Sequence, residues 1–108
     1  MKLENCNVLI TGGASGIGKL MGRIALEKGA ACLIIWDINP VNIERTKAEL
    51  GKLGKVRGYV ADVSNNDAVI KTYEKTVAEC GNVDILINNA GIVTSNKTFD
   101  KQTAEEIS

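Results

Sequence analysis

Short apolar runs alternate along this chain with longer stretches in which apolar residues recur at helical spacing. Val8, Leu9 and Ile10 predict a buried strand over residues 7–11. Residues 16–28 then place Ile17, Leu20, Met21, Ile24 and Ala25 on one helical face, with Gly29 in the position of a C-terminal cap. Residues 31–37 form a second apolar run that ends in Trp36 and Asp37. An unbroken run of this kind suits a parallel sheet covered on both faces. Asn39 and Pro40 supply an N-cap and a first-turn proline for a second helix, which carries Ile43, Leu50 and Leu53 and ends near residues 51–54. A weaker third strand spans residues 55–61. Ser64 and Asp67 flank the start of a third helix with Val69, Tyr73, Val77 and Cys80 inward, closed by Gly81. Ile85, Leu86 and Ile87 mark a fourth strand over residues 83–88. Thr103 and Glu106 make a capping box, as expected where a further helix begins and is cut near its start.

The order β-α-β-α-β-α-β predicts an α/β fold, a parallel sheet wound by right-handed crossovers, in one domain over residues 1–108. Half of a doubly wound sheet has the strand order 3-2-1-4. The fourth strand would then lie at an edge and be apolar on both faces, so a homo-oligomer formed through that edge is expected.

Composition narrows the chemistry. Of 108 residues, 13 are Lys or Arg and 13 are Asp or Glu, for no net charge. Neither nucleic acid nor an anionic membrane surface is therefore expected as a partner. No apolar run approaches the roughly 18 residues needed to span a bilayer. The absence of histidine excludes imidazole metal sites and His-dependent nucleophilic catalysis within the chain. Cys6, Cys32 and Cys80 are odd in number and widely spaced, which argues against a disulfide framework. They are expected to be reduced and mostly buried, in a cytoplasmic protein with no signal peptide ahead of the first strand.

The segment from Thr11 to Gly18, Thr-Gly-Gly-Ala-Ser-Gly-Ile-Gly, joins the first strand to the first helix. Glycines there permit a sharp turn and let backbone amides approach a phosphate, and the helix start favours an anion. Two ligands compete. A P-loop would use Gly13 to Gly18 and Lys19, but it needs a hydroxyl on the next residue to hold magnesium; Leu20 has none and is expected on the buried helix face. A dinucleotide would use Asp37, which stands 19 residues after Gly18 at the end of the second strand, close to the roughly 20 expected for the acid that bonds the ribose. A carboxylate there would repel a 2′-phosphate, and the neighbouring Ser15 and Ile38 bring no positive charge. NAD is thus favoured over NADP.

These residues resemble the classical short-chain dehydrogenase/reductase family. Three motifs carry the resemblance: Thr11-Gly12-x-x-x-Gly16-x-Gly18, Asp62-Val63, and Asn88-Asn89-Ala90-Gly91. Residues 33–39, with Trp36-Asp37-Ile38-Asn39, look most like the retinol and 17β-hydroxysteroid dehydrogenase branch. The resemblance implies the N-terminal, cofactor-binding half of a Rossmann-type fold. It places Gly12, Gly16, Ile17 and Gly18 under the pyrophosphate, Asp37 on the adenosine ribose, Asp62 on the adenine amino group and Val63 beside the ring. Asn89, Ala90 and Gly91 would line the nicotinamide half. Asn88 has two readings, as a cofactor neighbour or as a partner of Thr11 tying the first strand to the fourth. Asp62 has a plain reading as a turn residue.

The family's reaction needs a Tyr-x-x-x-Lys pair with a Ser and an Asn. Here Tyr59 is followed four residues on by Val63, and Tyr73 by Val77. Tyr59 is expected to be a strand residue and Tyr73 a core-facing helix residue. The catalytic residues are expected beyond residue 108. The parent is then an NAD-dependent oxidoreductase for an alcohol/ketone pair, with this chain inactive alone. The alternatives are a non-catalytic, NAD-binding regulatory module and, more remotely, a P-loop nucleotide-binding protein.

Overall fold

Residues 3–89 of the computed structural model are described here. Their elements are β1 (Asn7–Thr11), α1 (Gly16–Glu27), β2 (Cys32–Asp37), α2 (Pro40–Leu50), β3 (Val56–Val60), α3 (Asn66–Cys80) and β4 (Ile85–Asn88). All pairings are parallel and the strand order is β3-β2-β1-β4, as the alternation of elements predicts. β1 lies in the middle, with Thr11 opposite both Trp36 of β2 and Asn88 of β4. The capping box at Thr103 and Glu106 lies outside the described residues. No helix among the described residues is long and apolar enough to cross a membrane.

Side chains alternate across each strand, and this produces two cores. On one face Val8, Ile10, Leu33 and Ile35 meet Ala25 and Leu26 of α1 and Ile43 and Leu50 of α2. On the other, Leu9, Cys32, Ile34 and Trp36 meet Ala61, Val63 and, from α3, Val69 and Cys80. β2 is buried along five of its six residues, which explains its unbroken apolar run.

α1 is rotated from the face its apolar spacing predicts: Met21 and Ala25 of that face pack against the core, and the other three residues do not. Ile17, Leu20 and Ile24 are 70%, 55% and 40% exposed, whereas Gly18, Gly22, Ala25 and Leu26 are buried. The reason is close packing. A Cβ at Gly22 would stand 2.8 Å from Leu33, and one at Gly18 would stand 2.2 Å from the Gly12 carbonyl oxygen. A small-residue stripe lets the helix axis approach the sheet, and the bulkier stripe is left outside. Gly29 does end the helix: at φ +90° it donates to the Leu26 carbonyl, while Ala30 donates to Ala25, a Schellman arrangement.

α2 begins as expected, with the Asn39 side chain accepting from the Asn42 amide at 3.0 Å. Leu53 lies beyond its end and is 44% exposed. α3 is capped by Asn65, which accepts from Ala68. Its inward stripe runs through Val69, Thr72, Thr76 and Cys80, and Tyr73, at 45% exposure, is not core-facing. The phase of the helix follows one polar contact: the buried Trp36 indole N–H donates to Thr76 Oγ1 at 3.2 Å, and Thr76 donates to the Thr72 carbonyl at 2.7 Å.

Two stability measurements check this packing. Thr76→Val keeps the shape but strands the Trp36 donor, and should cost about 1–3 kcal/mol in urea unfolding. Gly18→Ala forces a methyl into the Gly12 carbonyl and should cost about 1–3 kcal/mol by the same assay. Wild-type midpoints in either variant would contradict the corresponding contact.

Candidate functional site

The parallel sheet sends every strand out at the same end, so the segments after β1, β2, β3 and β4 gather there. Ligands of open α/β sheets bind at such a carboxyl edge, where successive connections depart in opposite directions. In this chain that point lies between β1 and β4. Gly12 to Gly18, Asp37 to Ile38, Asp62 to Val63 and Asn89 all belong to this end.

The loop after β1 depends on glycine at two positions with left-handed backbone, Gly12 at φ +66° and Gly16 at φ +56°. Its anchors come from β2 and α2. The Gly12 amide donates to the Trp36 carbonyl at 2.7 Å. The Ala14 amide donates to Asp37 Oδ2 at 3.1 Å. The Ala14 carbonyl accepts from Thr46 Oγ1 of α2 at 3.1 Å. Thr46 is fully buried and was not among the residues expected at the site. Its sequence signal was present in the i, i+3, i+7 series Ile43, Thr46 and Leu50.

Asp37 holds two segments at once. While Oδ2 takes the loop amide, Oδ1 accepts from the Asn39 amide at 3.1 Å. Each carboxylate oxygen has lone-pair capacity left for a further donor. Ile38 beside it is 66% exposed. Beyond β3, Asp62 is exposed and takes both the amide and the hydroxyl of Ser64, at 3.0 and 2.5 Å. These bonds hold its carboxyl below the usual carboxylate range. The turn reading of Asp62 is thereby realised. Val63 is 6% exposed, its side chain packed in the α3-side core.

On the other side of β1, Thr11 Oγ1 donates to Asn88 Oδ1 at 2.9 Å, the structural reading of that pair. The same hydroxyl oxygen accepts the Asn89 amide at 3.0 Å, and Asn89 Nδ2 donates to the Gly12 carbonyl at 3.3 Å. Asn89 thus closes the loop from the β4 side. Ala90 and Gly91 lie outside the described residues.

The loop's outer surface suits an anion. Ser15, Gly16 and Ile17 are exposed, and a Cβ built on Gly16 meets nothing within 4 Å. Ser15 occupies the N-cap position of α1 but makes no side-chain cap bond, unlike Asn39 and Asn65. The first-turn amides of α1 therefore keep donor capacity and a positive dipole end toward the open side. These residues fit the phosphates of a dinucleotide. They do not make a P-loop: Lys19 bonds Glu49 of α2 at 2.5 Å, and Leu20, contrary to expectation, points outward yet offers no hydroxyl. Among the described residues no cluster of three metal-ligating side chains occurs.

Comparison with known proteins agrees with this geometry. Residues 6–108 match the short chain dehydrogenase family. Estradiol 17-beta-dehydrogenase 11 from Homo sapiens is 42% identical over 96 residues, covering 88% of this chain and 32% of the relative. Epidermal retinol dehydrogenase 2 from Homo sapiens is 40% identical over 95 residues, covering 86% of this chain and 30% of the relative. The chain thus spans about a third of the length of the curated relatives it matches. A solved NAD+-bound xylitol dehydrogenase superposes with a TM-score of 0.84 at 25% identity, over 99% of this chain and 48% of that one. An NADP complex of RhlG from Pseudomonas aeruginosa superposes at 0.77 with 27% identity, over 93% of this chain and 40% of that one. The chain belongs to the short-chain dehydrogenase/reductase family, in the branch of the retinol and 17β-hydroxysteroid dehydrogenases, and its fold implies a nicotinamide dinucleotide cofactor.

Proposed function

We propose that the chain is the cofactor-binding part of an NAD-dependent oxidoreductase that interconverts an alcohol and a ketone. The observation that carries this reading is the Asp37 carboxylate, held at the end of β2 against the glycine loop. In this reading Gly12, Gly16, Ile17 and Gly18 underlie the pyrophosphate, with Ser15 at the loop's rim. Asp37 receives the adenosine ribose hydroxyls, and Ile38 flanks them. Asp62 and the Val63 backbone meet the adenine. Asn89, with Ala90 and Gly91, follows the nicotinamide half.

The preference for NAD follows from electrostatics. Two unit charges about 4 Å apart repel by about 1 kcal/mol in water and about 4 kcal/mol near a protein surface. A 2′-phosphate placed by Asp37 meets that repulsion, and neither Ser15 nor Ile38 offsets it.

When bound, the nicotinamide supplies the hydride chemistry. This chain's residues would hold and orient it, but neither tyrosine among the described residues is placed to move the substrate proton. The Tyr59 hydroxyl donates to Glu79 at 2.5 Å, and burial together with its Cys80 and Glu79 contacts pushes its pKa above the ordinary phenol value. Tyr73 stands outward on α3, without a lysine four residues on. The family's proton-transfer residues would have to come from a longer polypeptide. The same reading carries a cytoplasmic setting and a homo-oligomer, with β4 at the edge of the sheet among the described residues.

Calorimetric titration checks the cofactor assignment. NAD should bind more tightly than NADP by roughly 10- to 100-fold, as about 1–3 kcal/mol of repulsion implies. Asp37→Asn keeps the shape while removing the charge, and should narrow the gap to a few-fold. Equal affinities in the wild type would overturn the NAD assignment. Residues 1–108 alone should bind the dinucleotide without turnover; steady NADH formation from a secondary alcohol would show that a proton-transfer group had been overlooked.

A further inference from the structure

Two of the three cysteines meet on the face of the sheet that carries α3. Cys32 opens β2 and Cys80 ends α3. Side-chain alternation puts Cys32 beneath α3 with Ile34 and Trp36, and Cys80 packs against that same cluster. Asn7 explains how the end of the helix arrives there. It pairs in register with Cys32 on the neighbouring strand, and its side-chain amide donates to the Cys80 carbonyl at 3.1 Å and the Asn82 carbonyl at 2.9 Å. Tyr59 holds the sulfur from the other side, its hydroxyl 3.5 Å from Cys80 Sγ. Asn7 thus brings the end of α3 to the start of β2, and Cys32 and Cys80 share one core cluster there. Cys6 packs against the opposite core, so the sheet separates it from both.

We infer that Cys32 and Cys80 form a reversible redox pair whose disulfide staples the end of α3 to the start of β2. The two thiols differ in access. Cys32 is 3% exposed, and Cys80 is partly exposed at the helix terminus. Gly81 follows at φ +87° and lets the helix end adjust. The oxidant is a small peroxide. Cys80, as thiolate, attacks one peroxide oxygen; the O–O bond breaks, leaving a sulfenic acid on Cys80 and a hydroxide that takes up the thiol's proton to become water. The Cys32 sulfur then displaces hydroxide from Cys80; the S–O bond breaks, the S–S bond forms, and the Cys32 proton leaves with the hydroxide as a second water. The balance is two thiols and one peroxide to one disulfide and two waters. Burial raises the Cys32 pKa, consistent with its role as the second, resolving thiol.

The bridge would close a loop of about 50 residues across two elements of one core. It would sit at the opposite end of β2 from Asp37, roughly 17 Å away along the strand. It should therefore change stability and leave dinucleotide binding alone.

The test exposes the chain to one equivalent of hydrogen peroxide, alongside Cys6→Ser, Cys80→Ser and Cys32→Ser variants. In the wild type and in Cys6→Ser, the intact mass should fall by two hydrogen atoms and a protease digest should contain a linked Cys32–Cys80 peptide. Tm should rise by on the order of 10 °C. Dithiothreitol should reverse both changes. Cys80→Ser, which alters a partly exposed site, should show neither, and so should Cys32→Ser if it folds. A Cys6-containing bridge, a sulfinate at Cys80 without cross-linking, or a linked peptide with unchanged Tm would overturn the inference.

Discussion

The carbonyl of Gly12 has to lie against the first turn of α1, and the site takes its shape from that contact. A methyl group at Gly18 would stand 2.2 Å from this oxygen, so the helix can start there only on glycine. The same carbonyl accepts the Asn89 side chain, and the Gly12 amide donates to Trp36. One residue therefore ties β1, β2, β4 and α1 together at the end of the sheet. These backbone groups are spent inside the fold, whereas Ser15, Gly16 and Ile17 lie exposed on the outer side of the loop, where α1 has no side-chain cap.

Side chains reinforce the same geometry from both flanks. Asp37 and Thr46 hold the two sides of Ala14, one through its amide and the other through its carbonyl. Thr11 bonds the Asn88 side chain and the Asn89 backbone. A polar site built on a loop keeps its shape only when such supports fix the backbone beforehand. Asp37 supports two segments, and each of its oxygens keeps a lone pair after bonding the loop and Asn39.

The two faces of the sheet divide the labour. The face under α1 and α2 is apolar throughout its buried cluster and sets how near the helices come to the strands. The face under α3 mixes apolar packing with the Trp36–Thr76, Tyr59–Glu79 and Tyr59–Cys80 contacts. Directional bonds there fix the rotation of α3, which a hydrophobic stripe broken by Thr72 and Thr76 would leave loosely specified.

The order of elements, the parallel sheet and the residues at its carboxyl end were all legible in the chain, because each rests on local rules. Continuous apolar runs mark doubly covered strands, Asn39-Pro40 and Gly29 mark helix ends, and the glycine spacing with Asp37 marks the candidate site at the carboxyl edge. The buried face of α1, the orientation of Tyr73, the Thr46 support and the placement of Cys32 and Cys80 in one core cluster were decided by tertiary packing. Periodicity reports where large apolar groups recur along a helix. It does not report how closely that helix approaches the sheet, and at close approach Gly18, Gly22 and Ala25 face inward while Ile17, Leu20 and Ile24 stay outside. Nor does spacing reveal that residues 48 positions apart (80 − 32) share one end of a core, because that proximity exists only once the crossovers have closed.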